Sequence, residues 1–243
     1  MPRIMTYNVH RCVGVDRKLD LARVAAVIAQ ARPDIVALQE LDVGRRRTGG
    51  VDQAHALAAR LGMAFHFNAA MRVEEEQYGD AVLAAGGLSL IKAGPLPGSK
   101  ALRGLEPRGA LLVEAEIGGR RLRVLNSHLG LVPHEQRAQA AALAGPEWLG
   151  RAREGTPTIL LGDFNATPLQ APHRILARSM TDARLALGGA HAQPTFPSRL
   201  PVLPIDHVLL SAGLRVTGLH AFAVPLARTA SDHLPLVVDF DFA

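Results

Sequence analysis

The chain has 243 residues, 48% of them hydrophobic and 20% charged, with a net charge of +5, an ordinary balance for a soluble globular protein with ample length for a buried core. Its one cysteine, Cys12, excludes an internal disulfide framework and a thiolate zinc cluster, and no apolar run approaches a membrane span. The N-terminus lacks the series of a secretory signal, so a cytoplasmic location is the default, and the basic balance is weak evidence for a polyanionic partner because Lys18, Lys92 and Lys100 are its only lysines.

Arg3–His10 reads as a first strand that ends in polar side chains. Leu21, Val24, Ala25 and Ile28 recur at helical spacing, which predicts a helix over 19–31 that stops before Pro33. Ile35–Glu40 is a second buried strand and ends on a carboxylate. A helix is expected from about Val51 to Leu61, closed by Gly62, and Tyr78–Ala85 reads as a further strand. Ala110–Ile117 and Arg121–His128 alternate on either side of Gly118-Gly119, a hairpin with a two-residue turn, so part of the sheet is antiparallel. A helix is predicted from roughly Pro133 to Arg153. Thr158–Leu161 is a short apolar run suited to a strand buried on both faces; Gly162 lets the backbone turn and Pro168 ends the ladder. Ile205–Leu210, Leu214–Val224 and Leu234–Phe240 are strands. Gln193–Pro204 holds four prolines and reads as an ordered surface loop.

A faint echo runs through this order. Asn8-x-His10, a helix, Pro33 and a strand ending at Glu40 parallel Asn126-x-His128, a helix, Pro157 and a strand ending at Asp163. Two such halves place polar strand ends on one edge of a pair of packed sheets. With no linker or composition break, residues 1–243 are expected to form one α+β domain.

The chemistry concentrates at those strand ends. Asn8, Glu40, His128, Asp163, Asn165, Asp206, Asp232 and His233 each lie at or next to one. An acid in such a place can deprotonate or orient a water, and a carboxamide can donate to a developing oxyanion. Taken singly, Gly162-Asp-Phe-Asn165 could be an Asx-turn and Asp232-His233 a capped turn. Together, their hard oxygen donors suit Mg²⁺, which binds through one or two carboxylates plus substrate phosphate.

Seven pieces in order, Thr6-Tyr-Asn8, Leu38-Gln-Glu40, Tyr78-Gly-Asp-Ala, Asn126-Ser-His128-Leu, Gly162-Asp-Phe-Asn165, Ile205-Asp206-His and Ser231-Asp-His233-x-Pro235, resemble the endonuclease/exonuclease/phosphatase superfamily. The resemblance implies a four-layer α/β/β/α sandwich of two packed, mostly antiparallel sheets flanked by helices, with the site at its rim. It implies a metal-dependent hydrolase of phosphate esters using Mg²⁺, with Mn²⁺ as a substitute. Carried over by position, Glu40 and Asn8 hold the metal and Asp232 completes its site. Asp163 orients or deprotonates the attacking water, Asn165 binds the phosphate, and His233 contacts it with its ring fixed by Asp206. His128 is a second phosphate contact or a proton donor to the leaving oxygen. Arg108 and Tyr78 are candidate substrate-binding side chains.

Two departures bear on substrate. Many nuclease members carry Arg-x-Asp-Tyr where this chain has Pro204-Ile-Asp206-His207, and its loops hold few aromatics apart from Phe164 and Phe196. Both favour a small-molecule or lipid-headgroup phosphodiester over a nucleic acid, with a nuclease or a non-catalytic phosphate-binding module as the alternatives. No protein partner is inferable. Arg45-Arg46-Arg47 and Glu74-Glu75-Glu76 read as solvated charge, and Cys12 as a small packed residue.

Overall fold

A computed structural model describes residues 1–98, 105–150, 155–188 and 192–243. Its strands are β1 (Arg3–Asn8), β2 (Ile35–Val43), β3 (Ala64–Val73), β4 (Glu76–Ala84), β5 (Leu88–Pro95), β6 (Gly109–Ile117), β7 (Arg120–Ser127), β8 (Thr158–Asp163), β9 (Thr181–Asp182), β10 (Asp206–Leu210), β11 (Leu214–Ala221) and β12 (Leu236–Phe242). The helices are α1 (Leu21–Ala31), α2 (Gln53–Leu61), α3 (Pro133–Ala144), α4 (Ala171–Leu176), α5 (Ala183–Ala186) and α6 (Ala227–Ala230).

The strands form two six-stranded sheets, ordered β11-β12-β1-β2-β4-β3 and β5-β6-β7-β8-β10-β9. In each sheet one central pair is parallel, β1 with β2 and β7 with β8, and the other pairs are antiparallel. Each parallel pair is joined by a helical crossover, α1 or α3, so the echo between the two halves is a β-α-β unit at the centre of each sheet.

Side-chain alternation sorts these strands into layers. Ile4, Ile35, Leu111, Val124, Leu161 and Val208 meet in the seam between the sheets. Met5, Tyr7, Val36 and Leu38 point the other way, onto α1 and α2. Leu112, Leu125, Leu160 and Leu209 pack outward with residues of α3 and α4. The result is the α/β/β/α sandwich.

Three sequence expectations change. The helix opening at Pro133 ends at Ala144 because Pro146 has no N–H to continue the ladder, and a separate turn, Pro146–Gly150, carries buried Trp148; the expected end at Arg153 lies outside the described residues. Gly162 does not turn the chain. Strand β8 runs through it, and a Cβ there would lie 1.9 Å from Ser127 O, so glycine serves the close approach of β7. Edge strands β3 and β5 are additional to the predicted set. The 118–119 turn is as expected, with both glycines at positive φ (56° and 76°), the signature of a two-residue primed turn.

Candidate active site

Parity decides which strand-end residues reach the seam. On β8, Asp163 shares a face with Ile159 and Leu161; on β10, Asp206 shares one with Val208 and Leu210. Asn8 follows Ile4 and Thr6, and His128 continues the row of Val124 and Asn126. Glu40 is the exception, because alternation would send it with Val36 and Leu38 toward α1. A β-bulge between Leu38 and Leu41 inserts an extra residue, and Glu40 adopts φ 62°, which turns it to the seam. Such a conformation in a non-glycine residue is strained and persists only where its surroundings hold it. Buried Asp80 helps, accepting the Glu40 backbone N–H. The carbonyls of Leu38 and Ala81 beside the bulge are met from the opposite sheet by Asn126, whose amide donates to both at 3.0 and 2.9 Å. Gln39 completes this clamp between sheets, donating to Asn126 Oδ1 (2.8 Å) and bonding Thr6.

Asp163 is the centre of convergence. Asn8 Nδ2 donates to Asp163 Oδ2 (3.0 Å) and to Glu40 Oε1 (2.9 Å), bridging two acids from different sheets, while its oxygen accepts from His10 N. His128 Nε2 and His233 Nε2 each lie 3.6 Å from the same Asp163 oxygen. The other oxygen accepts the Asn165 backbone N–H at 2.8 Å, an Asx-turn that places the Asn165 amide 3.0 Å from His128 Nε2. His233 Nδ1 donates to Asp206 Oδ2 (2.9 Å), which also accepts from Thr195 Oγ1. Tilted Phe196 covers the ring of His233, with centroids 4.9 Å apart.

The charges follow from burial and neighbours. Burial pushes the Asp163 carboxyl up, against the opposing pull of His233. Burial alone would lower His233, but Asp206 and Asp163 outweigh it and raise its pKa to about 10, so the ring is an imidazolium. His128 is held well below its ordinary value by burial and then by the Arg108 charge, so it is neutral. Arg108 Nη1 lies 3.2 Å from His128 Nδ1 and Asn165 Nδ2 lies 3.0 Å from Nε2, the atom facing Asp163, so an N–H donor approaches each ring nitrogen. Arg108 is itself buried, bonded to Tyr78 and 3.3 Å from Glu106. Tyr78 is buried beneath Arg47, whose guanidinium lies 5.6 Å from its ring. Asp232 is half-buried on the Asn8 side: Ser231 Oγ donates to Asn8 O (2.7 Å) and to Asp232 Oδ1 (3.3 Å).

The residues expected at the site therefore share one rim of the seam. The arginine run is not freely solvated: Arg47 forks onto buried Asp42 with two 2.7 Å bonds, and Arg45 pairs with Glu76 at 3.3 Å. Cys12 is packed and its thiol pushed up to about 12 by burial.

Sequence reasoning passed over a network behind the rim. On the outer face of β10, His207 stacks on Phe164 (4.8 Å) and donates from Nε2 to Ala166 O at 2.7 Å. Its Nδ1 accepts from Arg184 Nη1 at 3.1 Å, and Arg184 Nη2 donates to Asp206 O at 2.7 Å. Asp182 accepts from His173 Nε2 (2.6 Å) and from the Arg184 backbone (2.7 Å). The backbone of Asp206 and the turn after Asn165 are thus pinned by buried donors. His173, Asp182 and His207 have metal-ligand chemistry, but Arg184 already supplies the positive charge there. By contrast, no cation pairs with Glu40 among the described residues, which leaves its carboxylate and the half-buried Asp232 as oxygen donors for a hard divalent ion.

The sequence model described as "Endonuclease/Exonuclease/phosphatase family" matches residues 5–233. The chain is 27% identical over 249 aligned positions to the uncharacterised protein YbhP of Escherichia coli K12, covering 96% of this chain and 94% of that one. It is similar in fold to the mannosyl-6-phosphatase of Bacteroides thetaiotaomicron, with a TM-score of 0.76, 18% identity and full coverage of both chains. It is also similar to the catalytic domain of human Nocturnin, with a TM-score of 0.73, 24% identity and coverage of 100% and 94%. Among the described residues, no helix is long and apolar enough to cross a membrane.

Proposed function

The chain belongs to the endonuclease/exonuclease/phosphatase family of metal-dependent phosphoester hydrolases, and from that membership we propose that its 243 residues form one catalytic domain that hydrolyses a compact phosphodiester, of lipid-headgroup or small-metabolite type, with Mg²⁺. The supporting observation is the convergence of His128 Nε2 and His233 Nε2 on Asp163 Oδ2, with Asn8 joining Asp163 to Glu40. A phosphodiester carries one negative charge. That suits a rim in which Glu40, Asp80, Asp163 and Asp206 face two cations, His233 and an Arg108 already paired with Glu106.

Glu40 would hold the ion, with Asp232 and Asn8 beside it, and Mn²⁺ would substitute. When bound, the ion supplies Lewis-acid stabilisation of the phosphoryl oxygens. Asp163 orients the attacking water and takes its proton; burial, by raising the carboxyl pKa, makes it a better base. The imidazolium of His233, aimed by Asp206, and the Asn165 amide donate to the phosphoryl oxygens as charge develops on them. The P–O bond to the leaving group breaks and the leaving oxygen takes a proton from solvent, while neutral His128 lines the phosphate position beside Asn165. Tyr78 orients Arg108, which holds the His128 ring through Nδ1 and would contact a substrate phosphate.

Scarce loop aromatics, Pro204 before the Asp206 motif and a net charge of only +5 weigh against duplex nucleic acid, whose grip needs many basic contacts. The test is kcat/KM with Mg²⁺ for glycerophosphodiesters, other small phosphodiesters, phosphomonoesters, the nicking of supercoiled plasmid and the cleavage of abasic duplex, each beside Glu40→Ala. Small phosphodiesters should lead. DNA cleavage faster by about a hundredfold, or about 2.7 kcal/mol in activation free energy, and absent in Glu40→Ala would sink the proposal in favour of a nuclease.

A further inference from the structure

Six large apolar side chains are 62% exposed or more among the described residues: Met1, Leu131, Leu169, Leu185, Leu200 and Val202. Four of them, Leu131 (69%), Leu169 (84%), Leu200 (73%) and Val202 (62%), lie on the three loops that frame the catalytic rim. Strands β7 and β8 are parallel neighbours, so the loops bearing Leu131 and Leu169 leave the same sheet edge side by side. They are tied together: Asn165 Nδ2 donates to Leu129 O, and Gln136 Nε2 to both Gly130 O and Asn165 O. The third loop closes on itself at Phe196 and Leu203, rests Phe196 on His233, and donates Ser198 N–H to Asp232 O. Leu200 and Val202 are at its tip.

An exposed arginine lies within six residues of each tip in sequence. Arg137 follows Leu131 on α3, Arg174 follows Leu169 on α4, and Arg199 precedes Leu200; all three are exposed, without an ion pair among the described residues. Of the acids near this rim, Asp80, Glu135, Asp163 and Asp206 are buried, Glu106 is paired with Arg108, and Glu40 and Asp232 are half-buried. A soluble surface seldom gathers aliphatic tips around one cleft. Exposed aliphatic tips with unpaired arginines close by in the chain are the chemistry of a surface that sinks its apolar tips into the acyl boundary while cations meet anionic headgroups. Nucleic-acid platforms offer aromatic faces for stacking, and these tips are aliphatic.

We propose that the catalytic rim docks on an anionic phospholipid surface, with Leu131, Leu169, Leu200 and Val202 entering the interface and Arg137, Arg174 and Arg199 contacting headgroup phosphates. Docking brings the site to the depth at which a bilayer presents its phosphodiesters. The enzyme therefore works on lipid headgroups in place, a deepening of the phosphodiesterase assignment above, on which this inference rests.

Flotation with phosphatidylcholine vesicles, with and without phosphatidylglycerol, tests it. The wild-type chain should float with the anionic vesicles and stay behind with the neutral ones. Leu169→Asp should reduce flotation by about tenfold or more, since it replaces an inserted side chain by a charge repelled from the surface. Its turnover of soluble bis(p-nitrophenyl) phosphate should stay unchanged, which shows that it folds. Arg174→Glu/Arg199→Glu should likewise lose the anionic vesicles. Wild-type protein that floats with neither composition, a Leu169→Asp variant that floats like wild type, or a leucine dependence found for oligonucleotide binding and not for vesicles each overturns the proposal. Absence of soluble turnover in the wild type would count against the phosphodiesterase assignment instead, with flotation read separately.

Discussion

Replacing Asp206 by asparagine removes a charge at constant volume and isolates what that charge does for His233. Asp206 Oδ2 accepts from His233 Nδ1 at 2.9 Å and from Thr195 Oγ1. Burial favours a neutral imidazole; the Asp206 and Asp163 charges reverse this and hold the ring pKa at about 10. In Asp206→Asn burial is opposed by Asp163 with less help, so the imidazolium loses its proton at lower pH. Losing one preorganised oxyanion donor lowers kcat by about a hundredfold to a thousandfold, or about 2.7–4 kcal/mol. His233→Ala removes the same interaction and should show a loss of the same size. The double variant should then match His233→Ala itself, a coupling about the size of one single loss, about 2.7–4 kcal/mol. The assay is saturating kcat on a soluble phosphodiester with Mg²⁺ across pH, with circular dichroism melts as the folding control. A double-variant defect equal to the product of the two single defects would show two independent groups and refute the unit. The raised pKa also fixes a stability window. The folded value of about 10 exceeds the ordinary 6.5, so the stabilisation from His233 is complete below 6.5 and is lost as pH rises through 10. Denaturant titrations should show that decline in the wild type and not in His233→Ala.

Glu40→Ala should abolish divalent-dependent activity without lowering the melting temperature, and Glu40→Gly should raise stability by about 1 kcal/mol by relieving φ 62°; chelator-resistant activity would remove Glu40 from the metal site. Arg184→Met takes a buried cation from Asp182 and should lower stability by about 3–5 kcal/mol, read by urea unfolding. Burial depresses His207 to about 4, so its contribution is complete above 6.5 and is lost as pH falls through 4; His207→Phe should flatten that acid limb. Gly162→Ala drives a Cβ to 1.9 Å from Ser127 O and should cost about 3 kcal/mol or more, seen as loss of folded yield.

The layers were legible wherever burial is one-sided or complete. β1, β2, β8 and β10 carry buried apolar runs, and these runs placed Asn8, Asp163 and Asp206 at strand ends. Edge strands β3 and β5 were not legible because most of their residues are partly exposed, which blurs alternation. The end of α3 had a signal in Gly145-Pro146, outweighed by continued helical propensity beyond it. Side-chain direction at Glu40 was beyond reach: strict alternation turns it toward α1, and only the bulge across from β4 returns it to the seam. Arg184 was equally hidden, since it approaches Asp206 from a four-residue helix with no periodic pattern. His207 did leave a trace, as the residue standing where many nuclease members have tyrosine.

The two β-α-β halves divide the chemistry. The first sheet contributes Asn8 and Glu40; the second contributes His128, Asp163, Asn165 and Asp206, and His233 comes from the segment leading into β12. The second sheet holds the base and phosphate-binding groups, but Glu40 and Asn8, the pair that would hold the ion, come from the first, so the site exists only at a fixed sheet-to-sheet register. Apolar seam contacts such as Ile35, Leu161 and Val208 resist separation but tolerate sliding, because dispersion has little directionality. Directional restraints come from Asn8, which reaches across to Asp163, and from Asn126, whose amide spans the seam to Leu38 O and Ala81 O and whose oxygen receives Gln39. Those carbonyls flank the bulge that aims Glu40, so the Asn126 carboxamide restrains both the register of the sheets and the direction of the glutamate. Asn126→Leu should therefore do more than leave buried carbonyls unsatisfied, at about 1–3 kcal/mol each. It should raise the Mg²⁺ concentration needed for half-maximal activity even at temperatures where the variant is fully folded. An unchanged Mg²⁺ requirement in folded Asn126→Leu would confine this residue to stability and separate the clamp from the site.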